Sequence, residues 1–236
     1  MIAAVTGAAV ISRRQAPDGK RTWELPDRDI GRMIAERFPR FGRFDEYTQI
    51  GCAAIFAAAR EAGFRPGDPR RAIGLILSGQ YGSFDTDEAF YATTLAAPEL
   101  ASPNLFSYTL PNIVIGECAS QFGWMGPTYI LDGEGGRGRA ALVAAAAELE
   151  NGCAEAMLAG WLEIRPAWAP PGPEGAAVIV LEPDAANRPR RLALEISETG
   201  GIRLGSGEPV ETLDDIFLAL GPSVGAAGHS GSLDQP

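Results

Sequence analysis

The sequence predicts an α/β fold, a mixed sheet with helices on its faces, and three observations carry that expectation. Short apolar runs suited to buried strands recur at residues 72–77, 128–131, 154–160 and 175–181. Segments of helical periodicity, 85–95, 113–121 and the alanine-rich 139–150, lie between the first three of them. Glycine and proline mark most of the junctions, and such an alternation buries a sheet under helices.

Along the chain, residues 1–12 are apolar and β-rich with Gly7 in the middle, which predicts a buried strand that bends or packs closely there. Residues 17–26 turn polar, as a loop or hairpin. Asp45 then precedes an amphipathic helix in which Tyr47, Ile50, Ala54, Ile55 and Ala58 share a face and Gly63 supplies the stop. The helix at 139–150 ends at Asn151-Gly152. A stiff, proline-rich connector containing Trp168 separates the last two of the four strands. Beyond Pro183, residues 192–196 alternate like an edge strand and 212–220 read as a short helix capped by Thr212. The expected organisation is a main domain over 1–183, an extension over 184–220 and a disordered tail over 221–236.

The chain has 236 residues, 46% of them hydrophobic, enough for one well-buried core. No apolar run approaches the roughly 20 residues of a bilayer-spanning helix, and no basic segment precedes the apolar start. A soluble, cytoplasmic protein is expected. Cys52, Cys118 and Cys153 are odd in number and outside any CxxC pattern, which suggests buried structural thiols rather than disulfides or a metal site. The single histidine, His229, lies in the small, polar terminal segment. A formal charge of −10 argues against nucleic acid as a partner. Arginines do cluster at Arg28, Arg32, Arg37, Arg40 and Arg43, and again at Arg188, Arg190 and Arg191. Each cluster is either a solvated face or a docking patch for an acidic partner.

The segment Ala101-Ser102-Pro103-Asn104-Leu105-Phe106-Ser107-Tyr108-Thr109-Leu110-Pro111-Asn112 resembles the stretch that β-ketoacyl synthases place before their nucleophile. The likeness continues through Gly116, Ala119, Gly123 and Gly126-Pro127, then from Gly152 to Gly160 with Glu163, and from Gly175 to Glu182. It implies a thiolase-like fold, built in full from two similar β-α-β-α-β halves, of which these residues supply the first: a thiolase-like half-fold. In that family the nucleophilic cysteine sits on a strand-to-helix elbow. Counting from Gly126-Pro127, its place falls on Gly135 of Gly133-Glu134-Gly135-Gly136-Arg137-Gly138. Condensation needs a thiolate to carry the acyl chain and imidazoles to stabilise the developing charge. A glycine has no side chain to acylate, and Glu134 and Gly136 are no better. The two histidines of the family's second half have no counterpart, so no catalytic residue is assigned.

The resemblance also implies a role. Silent relatives called chain-length factors pair with an active ketosynthase and limit its acyl tunnel, and short chains of this pattern look most like those of aryl polyene pathways. An active ketosynthase, or a second copy of this chain, is therefore the expected partner. An acyl carrier protein would dock through the ketosynthase, repelled here by like charge. In related synthases the strand leading to the elbow pairs with its mate, which marks Thr128, Tyr129, Ile130 and Leu131 as the interface strand. Phe106, Tyr108 and Tyr129 are tunnel candidates, or plain core. No cofactor or metal is expected. Two alternatives stand beside this reading. The elbow spells GxGxxG after a strand and before a helix, the context of a dinucleotide site, although the acidic residue ending the next strand, Glu163, is already part of the family-like pattern. Arg137 and Arg139 beside it could meet a phosphate at the helix start. An acyl-CoA-binding homodimer without chemistry is the other.

Overall fold

The computed structural model describes residues 1–15, 21–25, 28–133, 137–184, 191–197, 200–221 and 229–231. Strands β1 (Ile2–Gln15), β2 (Arg21–Leu25), β3 (Ile73–Gly79), β4 (Thr128–Asp132), β5 (Ala156–Glu163), β6 (Gly175–Pro183), β7 (Leu192–Ile196), β8 (Ile202–Leu204) and β9 (His229–Gly231) form one sheet. Its order is β4-β3-β5-β6-β1-β2-β9, with β7 on β1 and β8 on β7. Strand β3 runs parallel to β4 and β5, whereas the β5/β6 and β6/β1 ladders are antiparallel, so the sheet is mixed, as the sequence predicts. The near-continuous apolar strands β3 and β5 are buried on both faces.

One face is covered by α2 (Glu46–Glu61) with α1 (Arg28–Arg37) and α5 (Ile113–Phe122). Helix α2 starts at Asp45, whose carboxylate accepts from the Thr48 amide at 3.0 Å. It is buried almost all round rather than on one stripe, because α1 and α5 pack against it as well as the sheet. At Gly7 the backbones of β1 and α2 meet so closely that a Cβ would collide with the Ala58 carbonyl oxygen. A bulge between Val5 and Gly7 adjusts the strand there. Between β3 and α5 lie α3 (Phe84–Ala96) and the single turn α4 (Pro103–Phe106).

The other face carries α6 (Arg139–Glu150), and over it fold β7, β8 and α7 (Leu213–Leu220). Leu194, Ile202, Leu213 and Ile216 join Leu142 and Ala145 of α6 in one buried cluster. The chain thus covers much of this apolar face itself. Thr212 and Asp215 close the capping box of α7.

Further departures have local reasons. Helix α1 and strand β8 were not expected; α1 is polar along much of its length, and Ile30 and Ile34 anchor it in the core. The polar stretch forms a hairpin, β1 pairing with β2. In the tail expected to be disordered, residues 229–231 pair with β2, whose outer edge is otherwise open; residues 222–228 and 232–236 lie outside the described residues. Cys52 and Cys118 are buried, but Cys153 is exposed, because the left-handed Gly152 turns the chain away from α6.

Candidate functional site

The carboxyl ends of β3, β4 and β5 converge, the usual place for a site on parallel strands. A cavity of about 370 Å³ opens there between Gly79, Gly133, Gly138, Trp161, Glu163 and Arg165. Gly79 and Gly133 close the strand ends, the Gly133 amide donating to the Gly79 carbonyl at 3.2 Å. A Cβ at Gly79 would press on the Leu162 carbonyl.

Glu163 is 8% exposed, and its carboxylate accepts from the amides of Gln80 at 2.8 Å and Tyr81 at 3.1 Å. Burial pushes its pKa up, against those two hydrogen bonds and the nearby Arg165 guanidinium. Arg165 is held by three contacts. Its amide donates to Glu174 at 3.0 Å, its Nε donates to the Pro170 carbonyl at 2.8 Å, and its guanidinium lies 5.0 Å from the Tyr81 ring centre. Trp161 is 8% exposed, and its Nε1 is buried with no hydrogen-bond partner. The sequence reading gives neither Arg165 nor Trp161 a role; a polar-tipped indole at the end of a buried strand was the available signal.

At the elbow, Glu134, Gly135 and Gly136 lie outside the described residues. Arg137 has φ of 26°, the only non-glycine residue in the left-handed region among those described. Its guanidinium pairs with Asp214, and its carbonyl accepts from the Leu213 amide at 3.1 Å. Gly138, at φ 85°, lies against Leu213, and any Cβ there would collide with that side chain. Arg139 donates to the Val210 carbonyl at 2.5 Å and the Gly200 carbonyl at 3.4 Å. Both arginines beside the start of α6 are therefore engaged by the C-terminal extension. Both Glu163 oxygens are likewise taken by backbone amides, where a dinucleotide ribose would need them free.

Strand β4 is the sheet's outer strand on this side. Pro127 accepts from the Leu75 amide at 2.9 Å and Gly133 donates to Gly79, so by alternation the odd-numbered backbone groups face β3 and those of Thr128 and Ile130 face outward. Tyr129 and Leu131 pack on the α6 side, and Ile130 on the α2 side. A groove of about 510 Å³ follows β4, bordered by Tyr47, Tyr81, Pro111 and Asn112. Of the three tunnel candidates only Tyr129 lines it; its hydroxyl donates to Glu148 at 3.0 Å, and burial with that hydrogen bond pushes its pKa up to about 12. Tyr108 is buried against Phe44 on the opposite side of the sheet, and Phe106 is 63% exposed, beside Phe90. The structure does not bring the three together.

The remaining reactive groups lie apart. Cys52 and Cys118 are side by side in the core, where burial holds the Cys52 thiol well above its ordinary pKa. His229 is on β9, at the edge of the sheet opposite β4. Among the described residues no group of three or more metal-ligating side chains gathers, and no helix is long and apolar enough to cross a membrane. Arg37, Arg40 and Arg43 are exposed; Arg191 pairs with Glu61 at 2.7 Å, while Arg188 and Arg190 lie outside the described residues.

No curated protein matches the chain. Among solved structures, it is similar to the ishigamide ketosynthase/chain length factor, with TM-score 0.64 and 20% identity over 82% of this chain and 66% of that one. It is also similar to a structure of AntDE:AntF, a type II PKS acyl-carrier protein in complex with its ketosynthase bound to the hexaketide, with TM-score 0.60 and 18% identity over 82% and 67%. A beta-ketoacyl synthase from Burkholderia phymatum gives TM-score 0.58 and 16% identity over 81% and 62%. The chain spans just under two thirds of the first and third of these, and at such identities the likeness is one of fold. The family model for the beta-ketoacyl synthase N-terminal domain matches residues 32–167, more than half of the sequence. With a mixed sheet, a glycine-rich elbow after β4 and helix α6 behind it, the chain belongs to the beta-ketoacyl synthase N-terminal domain family.

Proposed function

We propose that this chain is a non-catalytic β-ketoacyl synthase-like subunit that pairs with an active ketosynthase and shapes its acyl tunnel, as a chain-length factor does. The observation that carries the reading is chemical. The nucleophile's place falls on Gly135, and the one histidine of the sequence stands at the far edge of the sheet from the elbow. No thiolate or imidazole of this chain can serve a condensation there.

Pairing runs through β4, whose outward amides and carbonyls at Thr128 and Ile130 are open to another strand. The groove beside β4 is bordered by Pro111 and Asn112, and Leu110, Tyr91, Leu95 and Phe106 are each exposed. An open strand edge beside such a groove fits a ketosynthase subunit of the same fold. Tyr129 is the tunnel-lining residue on this side. An acyl carrier protein docks on the ketosynthase rather than on this acidic chain.

The test is acyl transfer. The purified pair, incubated with a radiolabelled acyl thioester and resolved on a denaturing gel, is expected to carry label on the ketosynthase only, and Tyr129→Ala is expected to change product length. A label on this chain would contradict the proposal.

A further inference from the structure

We infer that Glu148 is a positioning residue for Tyr129, its carboxylate anchoring the phenol so that the ring stands at one fixed place in the groove beside β4. The inference rests on the reading of Tyr129 as tunnel-lining and adds what holds that ring in place.

Strand β4 turns Tyr129 toward α6, and the side chain borders the groove while its hydroxyl donates to Glu148 at 3.0 Å. Among the described residues no other side chain of β4 forms a hydrogen bond. A phenylalanine would fill the same space, so what the hydroxyl adds is a direction. Glu148 is itself held from behind. After the left-handed Gly152, the Cys153 amide donates to the Glu148 carbonyl at 2.9 Å, and the Cys153 thiol donates to its carboxylate. No cation pairs with that carboxylate among the described residues; its side-chain partners are a phenol and a thiol. A charged acceptor makes the hydrogen bond from Tyr129 stronger and more directional than a neutral one. With the strand fixing one end of the side chain and Glu148 the other, the ring is confined to one rotamer. Without that anchor, a half-buried ring on the sheet's outer strand is free to swing along the groove.

The test compares Tyr129→Phe, Glu148→Ala, the double variant and Glu148→Gln, each purified with the ketosynthase of its own cell. Tyr129→Phe keeps the ring, so a change in product length there reads the anchor and not the volume. Tyr129→Phe and Glu148→Ala are each expected to change the ratio of the main product to its neighbours by about twofold or more, and the double variant by no more than either alone. Glu148→Gln, whose amide oxygen still accepts, is expected to stay near the wild-type ratio. A second readout needs no partner. In the chain alone with ring-labelled tyrosine, the Tyr129 NMR signal, assigned by its loss in Tyr129→Phe, is expected to move in Glu148→Ala and to return toward wild type in Glu148→Gln. Failure of the wild-type pair to form contradicts the pairing proposal, while the tyrosine signal still decides this one. A Tyr129 signal indifferent to Glu148→Ala, or an intact pair whose product ratio ignores both Tyr129→Phe and Glu148→Ala, would overturn the inference.

Discussion

The amide of Leu213 donates to the carbonyl of Arg137 at 3.1 Å, tying the first turn of α7 to the residue at which the elbow enters the left-handed region. The Arg137–Asp214 ion pair and the contact of Leu213 with Gly138 reinforce the same junction. Residues beyond Pro183 therefore fasten the start of α6 and complete the core on that face.

Leu213 is fully buried between Gly138 and the α6 cluster. Leu213→Ala is expected to lower the unfolding free energy by about 2–5 kcal/mol, as buried leucine truncations do. Thr212→Ala, which removes one half of the α7 capping box, is expected to cost about 1 kcal/mol. Urea unfolding followed by circular dichroism measures both. Equal, negligible losses would mean that the extension adds nothing to the core.

Glu163 titrates above its ordinary value of 4.5 because burial disfavours its charged form. The folded protein then holds this proton more tightly than the unfolded chain. The group's contribution to stability is full below 4.5 and is lost as pH rises through the elevated pKa. The stability of the wild type relative to Glu163→Gln is expected to fall with rising pH across that window. A difference independent of pH, measured by denaturation from pH 4 to 8, would contradict this.

Cys153 is exposed, and a hydrogen bond to Glu148 raises its thiol pKa. A water-soluble thiol reagent is expected to modify one cysteine in the native protein and three after denaturation. Glu148→Gln is expected to speed the native reaction near pH 8, since more of the thiol ionises there. Rapid labelling of Cys52 or Cys118 in the folded state would show that the core opens.

Strands β3 to β6 and the helices between them were legible in the sequence, because each strand is built on a short apolar run such as residues 156–162 and the helices follow at capping residues such as Asp45. Less legible was what depends on long-range packing. Helix α1 carries five charged residues in ten, and only burial of Ile30 and Ile34 reveals its inner face. Nor does any local pattern state that Leu213 will rest on Gly138. Tyr108 and Tyr129 are aromatic residues of the same kind on paper, yet they pack on opposite sides of the sheet. The Gly133–Gly138 elbow was found by pattern, whereas Trp161 and Arg165, which line the adjoining cavity, come from β5 and the residues just after it.

The companion role is tested most directly by association. Co-expressed with the ketosynthase of its own cell and passed over a sizing column with light scattering, the chain is expected to elute as a one-to-one complex. Ile130→Pro, which removes an outward amide without touching the ladder to β3, is expected to abolish that complex while the variant stays folded. Elution of the wild-type chain alone as a monomer, with the ketosynthase's product length unchanged by its presence, would contradict the account.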